Sequence, residues 1–270
     1  MAKIKKVLFI MQEITPYVSE SEMANMGRIL PQVIQEKGKE IRTFMPKWGN
    51  VNERRNQLHE VIRLSGMNII IDDTDHPLII KVASIQSARM QVYFIDNDDY
   101  FQDRLQTRDE KGQEYEDNEN RAIFYVRGVL ETVKKLRWYP DVIHCHGWMT
   151  AVAPLYIKKA YKDDPSFRDA KVVMSVYEDA FVNNFSGEFT SKLMLRGIHK
   201  KDMAMIIGKK VSHAMLLKHA IHYCDGIVQN SKHVDGEIME YARENGKPVL
   251  DYVRSVEEYA EACDAFYERV

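Results

Sequence analysis

Cysteine is scarce: Cys145, Cys224 and Cys263 stand far apart in a chain of 270 residues. An odd number at such spacing excludes a disulfide framework and a four-cysteine zinc site, and it points to a reducing compartment. Long apolar runs are missing too, since none approaches the roughly 20 residues a membrane helix requires. The N-terminal MAKIKKVLFIM does set lysines before an apolar stretch, as a secretory signal would. That stretch runs only from Val7 to Met11 before Gln12 and Glu13 end it. A buried first strand is the better reading, with no membrane contact and a cytoplasmic location expected. Nor is there an excess of one charge: 38 basic against 40 acidic side chains leave a formal charge of −2. The electrostatic case for nucleic-acid binding therefore falls away. Gly27 and Gly38 form no dinucleotide fingerprint, and no serine sits in a nucleophile elbow, so no cofactor is expected.

What is present is a core-forming composition, 45% hydrophobic and 29% charged. Short apolar runs alternate with helical patterns, the mark of βαβ units and hence of an α/β fold with a mostly parallel sheet. Strands are expected at Val7–Met11, Ile41–Met45, Gln91–Ile95, Val142–His144, Val172–Tyr177 and Gly226–Gln229. Met67–Ile71 and Leu78–Ser84, joined by a turn-rich link, read as an antiparallel insert. Helices are expected after the first strand up to Gly38, and over Asn120–Leu136, Ala151–Tyr161, Val211–Tyr223 and His233–Glu244. Residues 97–119, dense in Asp, Glu and Gln, read as the least ordered part. The organisation predicted is one Rossmann-like domain over 1–245. An amphipathic helix follows in 246–270, its stripe of Val256, Tyr259, Ala260, Cys263, Phe266, Tyr267 and Val270 packed on the sheet or used as a dimer contact.

Two segments can carry chemistry. The turn after the first strand lies where ligands bind in doubly wound sheets. Within it, Ser19 and Glu22 have the spacing of a helix-capping box. A phosphate site there would want glycines and a lysine, and has neither. In Asp141-Val142-Ile143-His144-Cys145-His146-Gly147-Trp148, the two histidines share a strand face. Structural hydrogen bonding, sugar or nucleotide contact with Trp148 as a stacking surface, and an incipient zinc site all remain open for them. Asp96-Asn97-Asp98-Asp99 lacks the glycine and distal glutamate of a calcium loop and reads as solvated. His199-Lys200-Lys201 and Lys209-Lys210 form a basic patch with no assigned partner.

Taken in order, these pieces resemble bacterial glycogen and starch synthases, glycosyltransferases that extend an α-1,4-glucan from a nucleotide-glucose. The resemblance is carried by VLFIMQEITPYVSESEMANMGRILPQVIQEKGKEIRTFMPKWG, VYFIDNDDYF, YEDNENRAIFYVRGVLE, PDVIHCHGWMTAVAPLYIK and LKHAIHYCDGIVQNS, from about residue 4 to 235. It implies the N-terminal half of a two-domain GT-B fold, with the second half expected to lie beyond this sequence.

The same resemblance marks departures. Where the family has Lys-Thr-Gly-Gly this chain reads Ser19-Glu20-Ser21-Glu22. A following aspartate is Asn25, the aspartate of His-x-His-Asp-Trp is Gly147, and a histidine after a later strand is Tyr177. The donor turn is thus expected to be degenerate. His144, His146, Trp148 and Tyr177 are expected on the sugar side, with His146 the best catalytic candidate and no metal. The implied ligand is an α-glucan or nucleotide-sugar, and a protein partner or second copy is expected on the open cleft face. A glycosyltransferase-like domain, not catalytic alone and serving sugar binding or regulation, is the expected function. The alternative is an active glucosyltransferase whose second half comes from another chain.

Overall fold

β1 (Lys6–Met11) is buried from Val7 onward, as a strand inside a parallel sheet must be. The computed structural model that places it describes residues 4–270, apart from the side chain of residue 257. The first three residues of the lysine-bearing lead lie outside the described residues. From β1 the chain turns into α1 (Glu22–Glu36) and returns as β2 (Glu40–Pro46), parallel to β1. An insert follows: β3 (His59–Glu60), β4 (Met67–Ile71) and β5 (Thr74–Ile85), with both shorter strands antiparallel to β5. β6 (Met90–Asp96) pairs antiparallel with β5 and parallel with β2. Short α2 (Asp98–Phe101) and long α3 (Asn118–Leu136) lead to β7 (Val142–His146) beside β1. The remaining elements are α4 (Ala153–Leu155), β8 (Lys171–Val176), α5 (Phe189–Lys192), α6 (His213–Tyr223), β9 (Gly226–Gln229), α7 (Gly236–Glu244), β10 (Val249–Leu250) and α8 (Val256–Tyr267). The sheet order is β10-β9-β8-β7-β1-β2-β6-β5-β3, with β4 on β5 off that path. The result is an α/β fold whose central and C-terminal strands are all parallel.

Three sequence expectations need correction. α1 is capped by Ser21, whose hydroxyl oxygen accepts the Ala24 N–H at 2.9 Å, so Ser19 and Glu22 form no capping box. The carboxylate of Glu22 instead accepts from the Ser231 hydroxyl at 2.5 Å. The helix expected over Ala151–Tyr161 starts only at Ala153, after a separate 3₁₀ turn at Trp148–Thr150, and consists of the three residues of α4 followed by a π-helical stretch at Tyr156–Ala160. Pro154 sits in the first turn of α4, where its missing N–H is tolerated, so the helix restarts there rather than running through.

Residues 97–119 are ordered by one side chain. Arg121 is fully buried and donates to the carbonyls of Tyr100, Leu105 and Gln106 and to the side-chain oxygen of Asn118, at 2.6–2.9 Å. Its guanidinium also lies 4.8 Å from the Tyr115 ring and 5.1 Å from that of Trp48. A cation with no carboxylate partner is tolerated there because main-chain dipoles and aromatic faces surround it. Burial nevertheless pulls its pKa down to about 9.

The apolar stripe of α8 is used within the chain. Tyr259, Cys263, Phe266 and Tyr267 are buried, and Lys39 on the approach to β2 meets Asp264 at 2.5 Å. The helix lies so close to β9 that a Cβ on Gly226 would fall 2.6 Å from Val270 and 2.8 Å from Phe266.

Candidate functional site

The carboxyl ends of β1, β7, β8 and β9 converge on a cleft of about 380 Å³. This is where parallel sheets present their loops to ligands. Gln12 and Glu13 come from the end of β1, Ser21 and Glu22 from the start of α1, and Trp148 from just past β7. Tyr177, Glu178, Asp179 and Phe181 follow β8, and Ser231 follows β9. The loop held by Arg121 adds Thr107, Arg108 and Glu114.

Five carboxylates therefore face one guanidinium, and that guanidinium is already committed: Arg108 pairs with Glu114 at 2.7 Å. Glu13 accepts from the Ser21 hydroxyl at 2.7 Å. Its pKa is raised, first by burial, which the Ser21 bond offsets and the charge of Asp179 reinforces. Asp179 accepts the Trp148 main-chain N–H at 2.9 Å and faces His213 at 3.3 Å. Glu178 is exposed and makes no bond among the described residues.

The aromatic wall is Trp148, whose ring meets Phe181 edge-on with centroids 5.0 Å apart. Trp148 is only 2% exposed, yet its indole N–H has no acceptor within the protein and is not sealed from solvent. Gln12 is 4% exposed. Its amide oxygen accepts the Met149 N–H at 3.1 Å, while its amide N–H₂ is likewise unpartnered and unsealed. Two donors are thus offered to the cleft.

The histidines lie elsewhere than expected. His144 and His146 are fully buried, their ring centroids 4.0 Å apart, and neither borders the cleft. Strand alternation turns both rings to the α8 side of β7. There Tyr267 meets His144 Nδ1 at 2.6 Å and Ser175 meets its Nε2 at 2.8 Å. His146 Nδ1 contacts the Tyr177 hydroxyl at 2.8 Å, while its Nε2 is sealed without a partner. Burial, helped by His146, holds the His144 pKa well below the ordinary imidazole value, and burial alone takes His146 down to about 3. Cys145 points to the opposite face, so no zinc-like set of His144, Cys145 and His146 converges. Among the described residues no group of three or more His, Cys, Asp or Glu is arranged to hold a metal ion.

Of the remaining expected residues, Trp148 and Tyr177 border the cleft. So do Ser21 and Glu22, whereas Ser19 and Glu20 are exposed outside it and Asn25 packs against Thr15. Gly147 has φ +84°, and a Cβ there would fall 2.5 Å from the Gln12 amide oxygen. Gln12, Glu13, Asp179 and Ser231 were not singled out in advance. Their shared position, just past the carboxyl end of a parallel strand, is the signal that could have found them.

A mostly parallel sheet with its cleft at the carboxyl edge is the arrangement found in GT-B glycosyltransferase catalytic domains, and the fold matches one of them. A solved structure of that class, the catalytic domain of Starch Synthase IV from Arabidopsis thaliana bound to ADP and acarbose, overlays with a TM-score of 0.71. It shares 16% identity and covers 93% of this chain and 52% of its own, and at that identity it shows the fold. The family model described as starch synthase catalytic domain matches residues 6–251, and the chain belongs to that family. A glycogen synthase of Chlorobium phaeobacteroides is 32% identical over 255 residues, covering 91% of this chain and 52% of that protein. One of Chlorobium limicola is 38% identical over 173 residues, covering 64% and 35%. The chain thus spans about half or less of the length of these relatives. No helix among the described residues is long and apolar enough to cross a membrane.

Proposed function

We propose that this chain binds a neutral sugar, of the α-glucan kind its family handles, in the cleft beside Trp148 and Tyr177. On this reading it rejects the nucleotide-sugar donor and is not catalytic on its own. The observation that carries the reading is the charge of the cleft: five carboxylates against a guanidinium already paired with one of them.

Two unit charges about 5 Å apart at an effective dielectric of about 20 interact by roughly 3 kcal/mol. Losing an attracting lysine, where Ser19 stands, and gaining a repelling glutamate such as Glu22 therefore costs a bound diphosphate on the order of 5 kcal/mol before screening, several thousand-fold in affinity. The start of α1 offers no compensation, because Ser21 caps it and Glu22 already answers its dipole. A polyhydroxylated ring suits the same walls better. Its hydroxyls can donate to carboxylates and accept from the free N–H groups of Trp148 and Gln12, while the indole supplies an apolar surface. In this arrangement His146 acts through Tyr177, whose hydroxyl it holds, rather than by touching the ligand.

Calorimetry of the chain with ADP-glucose and a series of maltooligosaccharides tests the proposal. Heat from the glucans and none from the nucleotide-sugar is expected. Micromolar binding of ADP-glucose would overturn it.

A further inference from the structure

We infer that the cleft selects a sugar carrying a protonated amino group over its neutral counterpart; this rests on the reading of the cleft as a sugar site and goes beyond the neutral ligand named there. A neutral ring accounts for the aromatic wall and the two donors, but it leaves the charge unanswered. The carboxylates come from three separate stretches of chain, with Glu13 and Glu22 at the β1–α1 turn, Glu114 in the loop held by Arg121, and Glu178 and Asp179 after β8.

Local bonds absorb part of this charge: Ser21 donates to Glu13, Ser231 to Glu22, and Arg108 to Glu114. Glu178 has no such partner and stands at the rim, so one full negative charge is available to a cation. Excess charge of one sign in a concave, partly desolvated site raises the local concentration of the opposite sign.

The second, independent sign of a ligand is the pair of idle donors. Trp148 is 98% buried by its 2% exposure and Gln12 is nearly as enclosed, yet each keeps an N–H group open to the cleft it borders. Metal or simple amine binding would give those donors nothing to do, because a cation brings no acceptor. An amino sugar answers both halves at once: its ammonium meets Glu178 and Asp179, and its hydroxyl oxygens accept from the indole and the amide. The cleft volume of about 380 Å³ lies in the range of small-molecule sites.

Glucosamine, glucose, N-acetylglucosamine and ethanolamine, each titrated into the full chain at a pH where the amines are protonated, test the inference. The readout is ligand-detected NMR, with a maltooligosaccharide as the neutral reference. Glucosamine is expected to bind at least ten-fold more tightly than glucose or N-acetylglucosamine, with the advantage shrinking several-fold in 0.5 M salt. Glu178→Gln, at an exposed side chain that makes no bond among the described residues, should cut the ratio of glucosamine to glucose affinity several-fold. Equal binding of glucosamine and glucose would overturn the inference and leave the neutral-sugar reading standing. Ethanolamine binding as well as glucosamine would overturn it by reducing the cleft to a cation trap. Absence of binding by every sugar would overturn both.

Discussion

At the scale of single residues, Gly147 decides whether the family's aspartate can be restored. Its backbone lies at φ +84° and the nearest Gln12 atom would sit 2.5 Å from a Cβ, so both conformation and space exclude a side chain. Gly147→Asp is expected to destabilise the protein by about 1–3 kcal/mol, read as a fall in the urea midpoint, without creating nucleotide binding. The two buried imidazoles give a pH dependence whose sign is fixed. Both are held neutral in the fold with pKa values below the ordinary 6.5, His146 at about 3, so the unfolded chain binds more protons as pH falls. Their contribution to stability is complete above about pH 6.5 and is lost progressively toward pH 3. The raised carboxyl of Glu13 acts in the opposite sense, its contribution present in acid and fading as pH rises. Comparison with His146→Gln therefore isolates the imidazole: urea midpoints from pH 7.5 to 4.5 should fall less steeply in the variant. An equal slope would mean that His146 takes up no proton on unfolding.

Among the elements, α8 is as much part of the interior as any strand. It lays Tyr267 on His144 and Tyr259 near Ser175, and it fills the space that Gly226 leaves open. Tyr267→Phe removes the hydroxyl partner of His144 Nδ1 and leaves a buried polar atom unsatisfied, an expected loss of about 1–3 kcal/mol by chemical denaturation; no change would show that water replaces the hydroxyl. The helical stripe from Val256 to Tyr267 was readable from spacing alone, because burial on one face imposes a 3.6-residue period. What the helix covers was not, since nothing in the stripe names its partner. The parallel strands were equally plain, as double-sided burial demands continuous apolar runs such as Val7–Met11. The segment 97–119 misled for a physical reason. Its order comes from Arg121, its polar composition notwithstanding, and a guanidinium satisfied by main-chain carbonyls leaves no pattern in the side chains around it. His144 and His146 show the same gap: their shared strand face was legible, but that this face lies under α8 rather than at the sheet edge depends on the fold as a whole.

For the whole molecule, the character of the cleft is collective. Residues from positions 12 to 231 meet there, and its negative field is the sum of groups that no single motif contains. Restoring only the lysine and the two glycines of the family's turn, by Ser19→Lys, Ser21→Gly and Glu22→Gly, tests this. The triple variant should still fold, because glycine replaces a serine cap at a cost of only a few tenths of a kcal/mol, and the two bonds lost, Ser21 to Glu13 and Ser231 to Glu22, lie at the cleft edge rather than in the core. It gains one lysine, yet Ser19 lies outside the cleft, while Glu13, Glu114, Glu178 and Asp179 remain around the position a diphosphate would take. Screening in water weakens each of these repulsions, but they share one sign and one concave wall, where they are screened least. Calorimetry of the triple variant with ADP-glucose should accordingly show no binding up to millimolar ligand. Micromolar binding would locate the barrier in the turn itself, and the acidity of the other loops would then have no part in excluding the donor.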